Sequence, residues 1–230
     1  NAPIGKIYYG MMLYNDGGTV DDLLVYKMDE REFFIVINAA NIEKDVKWMH
    51  HNAEGFDVTI DHCSEYYGQI AVQGPDAEIV MEDILSLLCK ELSFYTVKSF
   101  KVDKENIIIS RTGYTGEDGF EVYASHEFIR AQWDILMASG RCKPCGLGCR
   151  DTLRFEVGLP LYGEELSKEI SPIMAGLGMF CKLDKPEFIG KNALLKQKTE
   201  GITKKLVGIE LHDRAVPRHG YAVLKDGRQI

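Results

Sequence analysis

The order of strand and helix signals in this chain begins twice, and that repetition limits what it can fold into more than any other feature. Ile7 to Leu13, Asp22 to Met28 and Phe33 to Asn38 read as strands, joined by the turn Asn15-Asp16-Gly17-Gly18 and the polar link Asp29-Glu30-Arg31. A helix follows, with Asn41 as its cap and Ile42, Val46 and Met49 at helical spacing, then Gly55 and a strand over Asp57 to His62. From Gly68 the order restarts: strand Gly68 to Gln73, a Gly74-Pro75-Asp76 helix start, helix to Leu88, strands near Ser99 to Val102, Ile107 to Arg111 and Gly119 to Ala124, and helix His126 to Ala138. The second copy reads β-α-β-β-β-α. The first matches it from its strands onward, so its opening strand and helix are expected upstream of Asn1.

The expected architecture is α+β: two ferredoxin-like β-α-β-β-α pseudo-repeats, each an antiparallel sheet with helices on one face, plus the start of a third, β-rich domain. The lobes are assigned to residues 1–62 and 63–170, and a connector with the start of the third domain to 171–230. Past Gly146-Leu147-Gly148 come a helix near Arg150 to Val157, a Pro/Gly-punctuated stretch, a short helix near Asn192 to Lys198 and a strand Leu206 to Leu211. At the end, Tyr221 to Lys225 and Arg228 to Ile230 flank Asp226-Gly227, a type I′ hairpin signal whose second strand is cut as it starts.

Composition narrows the function classes. With 45% apolar and 27% charged residues over 230, the chain is globular, and no apolar run approaches the roughly 18 residues of a membrane span. Acidic residues outnumber basic ones, 35 to 27, and both signs are dispersed, so neither nucleic acid nor a membrane is an expected partner. Six scattered cysteines lack the density of a secreted disulfide scaffold and fit a reducing compartment. No leader peptide is visible, although a start at Asn1-Ala2-Pro3 leaves room for an upstream segment.

Period-two alternation puts Asp22, Leu24, Tyr26 and Met28 on one strand face, opposite Asp21, Leu23, Val25 and Lys27. In the neighbouring strands the same parity aligns Tyr9 with Met11, and Phe34 with Val36 and Asn38, so an acid, an amide and two tyrosines can share a surface. On the residues alone, Asp22 reads equally as a turn residue. The stretch Ser110-Arg111-Thr112-Gly113-Tyr114-Thr115-Gly116-Glu117-Asp118-Gly119-Phe120-Glu121 is either a decorated hairpin loop or a place of close ligand approach. In its outgoing strand Phe120, Val122 and Ala124 form an apolar face, leaving the Glu121 carboxylate and Tyr123 opposite. Cys142-x2-Cys145-x3-Cys149 has metal-like spacing but no second ligand pair, so no metal site is assigned. His50-His51 suits a helix C-terminus, and nucleotide-binding glycine motifs are absent.

Taken in order, Asn15-x-Gly17-Gly18-x2-Asp21-Asp22-Leu23-x-Val25-Tyr26, Asn38-Ala39-Ala40-Asn41, Gln73-Gly74-Pro75, Thr112 to Gly119, Gly146-Leu147-Gly148-x-Arg150-Asp151, Phe188-Ile189-Gly190-Lys191 and Leu206-Val207-Gly208-Ile209-Glu210 resemble the aminomethyltransferases (T-proteins) of the glycine cleavage system over nearly the whole chain. The three cysteines around Gly146 are not typical of that family.

The resemblance implies a three-lobed fold with tetrahydrofolate as co-substrate in a central hole, no metal, and the lipoylated H-protein as donor of an aminomethyl group carried on sulfur. Ammonia leaves and 5,10-methylenetetrahydrofolate forms, in a bacterial cytoplasm or a mitochondrial matrix. It further implies that Asp22 is the catalytic residue. With an ordinary pKa of about 4, Asp22 would be ionised and placed to orient folate nitrogens and stabilise a cationic iminium-like species. Glu121 would accept from adjacent pterin N–H groups, Arg150 would reach folate oxygens, and Tyr9, Tyr26, Asn38 and Tyr114 would line the cleft.

Two relatives of the same fold compete. The iron–sulfur assembly protein carries a Lys-Gly-Cys-Tyr-x-Gly-Gln-Glu signature where this chain has Lys185-Pro186-Glu187-Phe188-Ile189-Gly190-Lys191, and is disfavoured. A folate-dependent demethylase stays open, as does a non-catalytic folate-binding module.

Overall fold

Three strands that alternate in polarity pair as the sequence suggests. In the computed structural model, which describes residues 2–87, 89–102, 104–218 and 220–229, β1 (Ile7–Leu13) runs antiparallel to β2 (Thr19–Lys27), and β2 to β3 (Phe33–Val36). The register sets Met11 opposite Asp22, Tyr9 opposite Leu24 and Ile7 opposite Tyr26. β2 starts earlier than the alternation indicated because Thr19 is held from outside: its N–H donates to the Ser167 carbonyl at 2.9 Å and its hydroxyl to the Ile170 carbonyl at 2.8 Å.

The turn before β2 shows why two glycines are needed. Asp16 Oδ1 accepts from the Gly18 N–H at 3.0 Å, and Gly17 sits at φ +89°. A Cβ on Gly18 would lie 1.8 Å from the Lys168 carbonyl oxygen, a backbone atom with no rotamer to yield. Gly18→Ala is therefore expected to lower unfolding free energy by about 3 kcal/mol, the upper range for an overpacked site, as read by urea denaturation. A midpoint unchanged within error would show that the 159–170 segment can move aside freely.

The second unit is β4 (Gly68–Gln73), α2 (Ala77–Ile79), β5 (Val97–Val102), β6 (Glu105–Ser110), β7 (Gly119–Ala124) and α3 (His126–Ser139), with sheet order β4-β7-β6-β5, antiparallel throughout. One sheet face, built from Ile70, Val72, Ile107, Ile109, Phe120, Val122 and Ala124, packs under Val80, Met81 and Leu136 of the helical segments, as the α+β reading requires. Its opposite face gives Ile108 and Tyr123 to a second core with Ile7 and Tyr26 of the first sheet. The seam is tied by an antiparallel bridge, Lys6 to Thr96. Ser125 caps α3 by accepting from the Phe128 N–H at 3.2 Å, and Gly140 ends it at φ +66°.

Several elements differ from expectation. α1 (Ile42–Ala53) forms, but Asn41 makes no cap bond; its amide donates to Asp21 Oδ1 at 2.9 Å instead. The helix buries Asp45 completely, whereas Ile42, Val46 and Met49 are only half-buried. α2 passes into a π-helical turn over Val80–Ile84 rather than running on as an α-helix. The expected helix end at Leu88 and the hairpin end at Ile230 lie outside the described residues.

Neither Asp57 to His62 nor Leu206 to Leu211 is a strand: among the described residues neither pairs into a ladder, and Leu206 makes a single backbone bond to the Met174 carbonyl at 2.9 Å. Val58, Val207 and Ile209 stay more than half exposed. α4 (Leu147–Glu156) and α5 (Lys191–Glu200) appear where periodicity put them, and β8 (Leu224–Lys225) and β9 (Arg228–Gln229) close a hairpin with Asp226 and Gly227 both at positive φ. Leu194 of α5 is fully buried, with its side chain beside Gly17, so this later part of the chain clasps the turn that precedes Asp22.

Candidate functional site

Asp22 is half-buried in β2, at the parity of Leu24 and Tyr26, which pack against Ile108 and Tyr123 of the second sheet. The Tyr9 hydroxyl donates to its Oδ2 at 3.0 Å and the Asn38 amide to its Oδ1 at 3.0 Å. Both donors come from flanking strands or their ends, as cross-strand parity allows. The carboxyl does not keep an ordinary aspartate pKa. Burial lifts it, the two donors pull it back, and the neighbouring Asp21 charge adds to the rise. Burial together with the Asp22 charge also drives the Tyr9 phenol far up, so Tyr9 is a permanent donor.

Glu121 stands on β7 opposite Ala71 and Ser110, on the face away from the helices. Its Oε1 accepts from Gln69 Nε2 at 2.6 Å, and its Oε2 takes a short bond from the Thr112 hydroxyl. Burial raises its pKa, while these donors, Tyr123 and the Arg150 charge oppose the rise. The glycine-rich hairpin is stapled at its base by a bidentate pair, with Arg111 Nε and Nη2 2.8 and 2.7 Å from the Asp118 oxygens. Inside it lies Gln73, whose Nε2 donates to the Thr112 carbonyl at 3.1 Å and whose Oε1 accepts from Thr115 at 3.2 Å. A Cβ on Gly113 or Gly119 would fall 1.8 or 2.3 Å from that side chain.

Tyr114, at the hairpin tip, donates to the Pro160 carbonyl, and the Arg150 guanidinium lies over its ring at 4.5 Å. Arg150 itself is exposed on α4. The Tyr114 phenol is pushed up to about 12, chiefly by burial, while it senses Arg154, Arg150 and the Asp22 carboxyl. Asp22, Tyr9 and Asn38 are thus hydrogen-bonded together, while Arg150 stands over Tyr114 and its charge also bears on Glu121.

Tyr26 does not belong on the cleft wall. Its ring is fully buried in the inter-sheet core, and its hydroxyl is engaged by Ser110 at 3.1 Å and Tyr123 at 3.0 Å. Ser110 in turn meets Thr112 at 2.7 Å, so a line of hydroxyls runs from Tyr26 to the residue that holds Glu121. Tyr26 therefore supports the site from behind.

Sequence reasoning missed several supporting groups. Asp21 is fully buried and binds both Asn38 and Asn41; the available signal was a charge at the parity of apolar Leu23 and Val25. Gln69, Ser110 and Thr112 bear no local signature. Two surface depressions among the described residues contain none of the candidates: one of about 180 Å³ is lined by Glu165, Met174 and Lys204 among others, and one of about 520 Å³ by Ala39, Glu43 and His62 among others. Among the described residues, no three or more His, Cys, Asp or Glu side chains are grouped to hold a metal, and no helix is long and apolar enough to cross a membrane.

The fold and site define an α+β protein of two antiparallel sheets, with an acid held by an amide and a phenol at the seam and a second acid behind a glycine-rich hairpin. The chain belongs to the GCVT N-terminal domain family, which matches residues 1–185. It is 50% identical over 230 residues to an aminomethyltransferase of Lysinibacillus sphaericus and 48% identical over 229 to one of Thermoanaerobacter pseudethanolicus, each match covering 98% of this chain. It spans 63% and 62% of those relatives' lengths. The crystal structure of glycine cleavage system aminomethyltransferase T from Bartonella henselae superposes with a TM-score of 0.78 at 32% identity, over 86% of this chain and 54% of that one.

Proposed function

We propose that this chain is the folate-binding part of an aminomethyltransferase that moves the aminomethyl carbon from the lipoyl sulfur of H-protein to tetrahydrofolate, with release of ammonia and formation of 5,10-methylenetetrahydrofolate. The observation that carries the reading is the Asp22 carboxylate, half-buried and held by Tyr9 and Asn38 in a family whose named relatives are aminomethyltransferases. A carboxylate fixed by two donors keeps its charge in place without reorganising as positive charge develops beside it. It also accepts from folate N–H groups and so orients the nitrogen that meets the carbon.

Glu121 suits recognition. Its two oxygens keep unused lone pairs beyond the Thr112 and Gln69 bonds, a planar match to adjacent pterin N–H donors. Arg150 sets a permanent positive charge beside it, complementary to folate oxygens. No metal is needed for these roles. The bacterial relatives favour a bacterial cytoplasm over a mitochondrial matrix.

Single-turnover transfer from aminomethylated H-protein to tetrahydrofolate by the full-length protein tests the reading. Formation of 5,10-methylenetetrahydrofolate is expected; folate binding without transfer would move the demethylase or binding-module alternative ahead. In the same assay Glu121→Gln is expected to weaken tetrahydrofolate binding by about tenfold while the rate at saturation stays within about threefold, since one charge-assisted acceptor is lost.

A further inference from the structure

Behind the catalytic candidate lies a second pair of acids. Asp21 and Asp45 are both fully buried, on β2 and α1. Asp21 Oδ1 accepts from the Asn38 and Asn41 amides at 2.8 and 2.9 Å, and its Oδ2 from the Asn38 backbone N–H at 3.2 Å. Asp45 has no amide donor: its Oδ1 lies 2.9 Å from Lys44 Nζ as an ion pair, and no well-aligned hydrogen bond reaches either oxygen. The same Lys44 ammonium also donates to the Val20 carbonyl and lies over the Tyr162 ring at 4.4 Å, so its one positive charge is shared.

Two buried carboxylates beside one partly exposed ammonium leave one negative charge uncompensated. A single proton resolves this, because a neutral Asp45 can donate to Asp21. Burial first, then the contact with Asp21, push the Asp45 carboxyl up to about 7 against the pull of Lys44. Facing the pair are Lys44 on α1, Asn38 and Asn41 ahead of α1, Tyr162 from the clasping segment, and the Asp22 carboxyl, whose charge bears on Asp21.

Asn38 connects the pair to the site. Its Nδ2 donates to Asp21 Oδ1 at 2.8 Å and to Asp22 Oδ1 at 3.0 Å. We propose that Asp21 and Asp45 form a one-proton carboxyl dyad, and that Asp21 acts through Asn38 as a positioning residue for Asp22. The proposal rests on the aminomethyltransferase reading for its rate consequences, but the shared proton itself does not. When the dyad loses its proton, two buried negative charges repel, the grip on Asn38 changes, and Asp22 loses a donor.

The sign for stability follows from linkage. Asp45 holds a proton in the folded chain at pH values where the unfolded chain, with an aspartate pKa of about 4, has released it. Its contribution is full below about 4 and is lost as pH rises through about 7.

The test compares the full-length protein with Asp45→Asn, Asp21→Asn and Asp22→Asn between pH 5.5 and 9. The amide introduced by Asp45→Asn is a neutral N–H donor at every pH, so the fall in transfer rate on the alkaline side, about tenfold in the parent, is expected to flatten, and the melting temperature to stop declining across neutrality. Asp21→Asn is expected to slow transfer by about 30-fold with tetrahydrofolate affinity within twofold, a split that general loosening of the fold would not produce. Carbon-13 NMR of labelled aspartate reads the proton directly. One carboxyl titrating near neutrality in the parent, and lost in both Asp45→Asn and Asp21→Asn, supports the dyad without any turnover. Aspartates that all titrate at ordinary values, or an alkaline limb identical in Asp45→Asn and parent, would overturn it. Unimpaired transfer by Asp22→Asn would instead strike the catalytic reading and leave the NMR result standing.

Discussion

Asp22→Asn is expected to lower the single-turnover transfer rate by about 100- to 1000-fold while tetrahydrofolate affinity changes by less than threefold. The substitution keeps the shape and one acceptor oxygen, so the Tyr9 bond can persist, but an amide turned toward Asn38 sets N–H against N–H. What disappears is the negative charge. Because burial holds the Asp22 carboxyl above the usual aspartate range, the acid limb of the parent rate profile should also lie higher than for a solvated aspartate and vanish in the variant. Transfer within threefold of the parent would remove Asp22 from the chemistry.

The second large effect is on stability. Arg154 is only 5% exposed, with Nε 2.8 Å from Asp151 Oδ1 and Nη1 2.7 Å from Glu165 Oε2, and its Nη1 also donates to the Leu159 carbonyl at 3.1 Å. Arg154→Met retains the apolar stem but strands Glu165, whose other bond is from the Leu161 N–H. Breaking one side of a buried pair costs about 3–5 kcal/mol, which for a chain of this size lowers the melting temperature by roughly 10 °C. Replacing Glu165 as well, with Leu, should restore most of the loss. If the double variant is no better than the single one, the cost comes from lost packing rather than from an unpaired charge.

Much of the fold was legible because alternation and helical spacing report burial directly. β1 and β7 fall where their alternation begins and ends, and Gly140 ends α3 as a left-handed glycine should. Asp57 to His62 and Leu206 to Leu211 were misread since strand propensity says nothing about whether a pairing edge is present. At the site, parity aligned Tyr9, Asp22 and Asn38 but could not tell an open face from a covered one, so Tyr26 was placed on a wall when it lies between two sheets. Asp21 and Asp45 escaped notice for a different reason: charged residues are read as solvated by default, and their burial depends on partners distant in sequence.

The hairpin that carries Tyr114 is cast around the side chain of Gln73, which belongs to another strand. Its contour is therefore not encoded in its own residues alone. Moved to a different protein without that glutamine, the same twelve-letter stretch would have a hollow where its mould had been, and the Glu121 carboxylate would arrive without the frame that aims it.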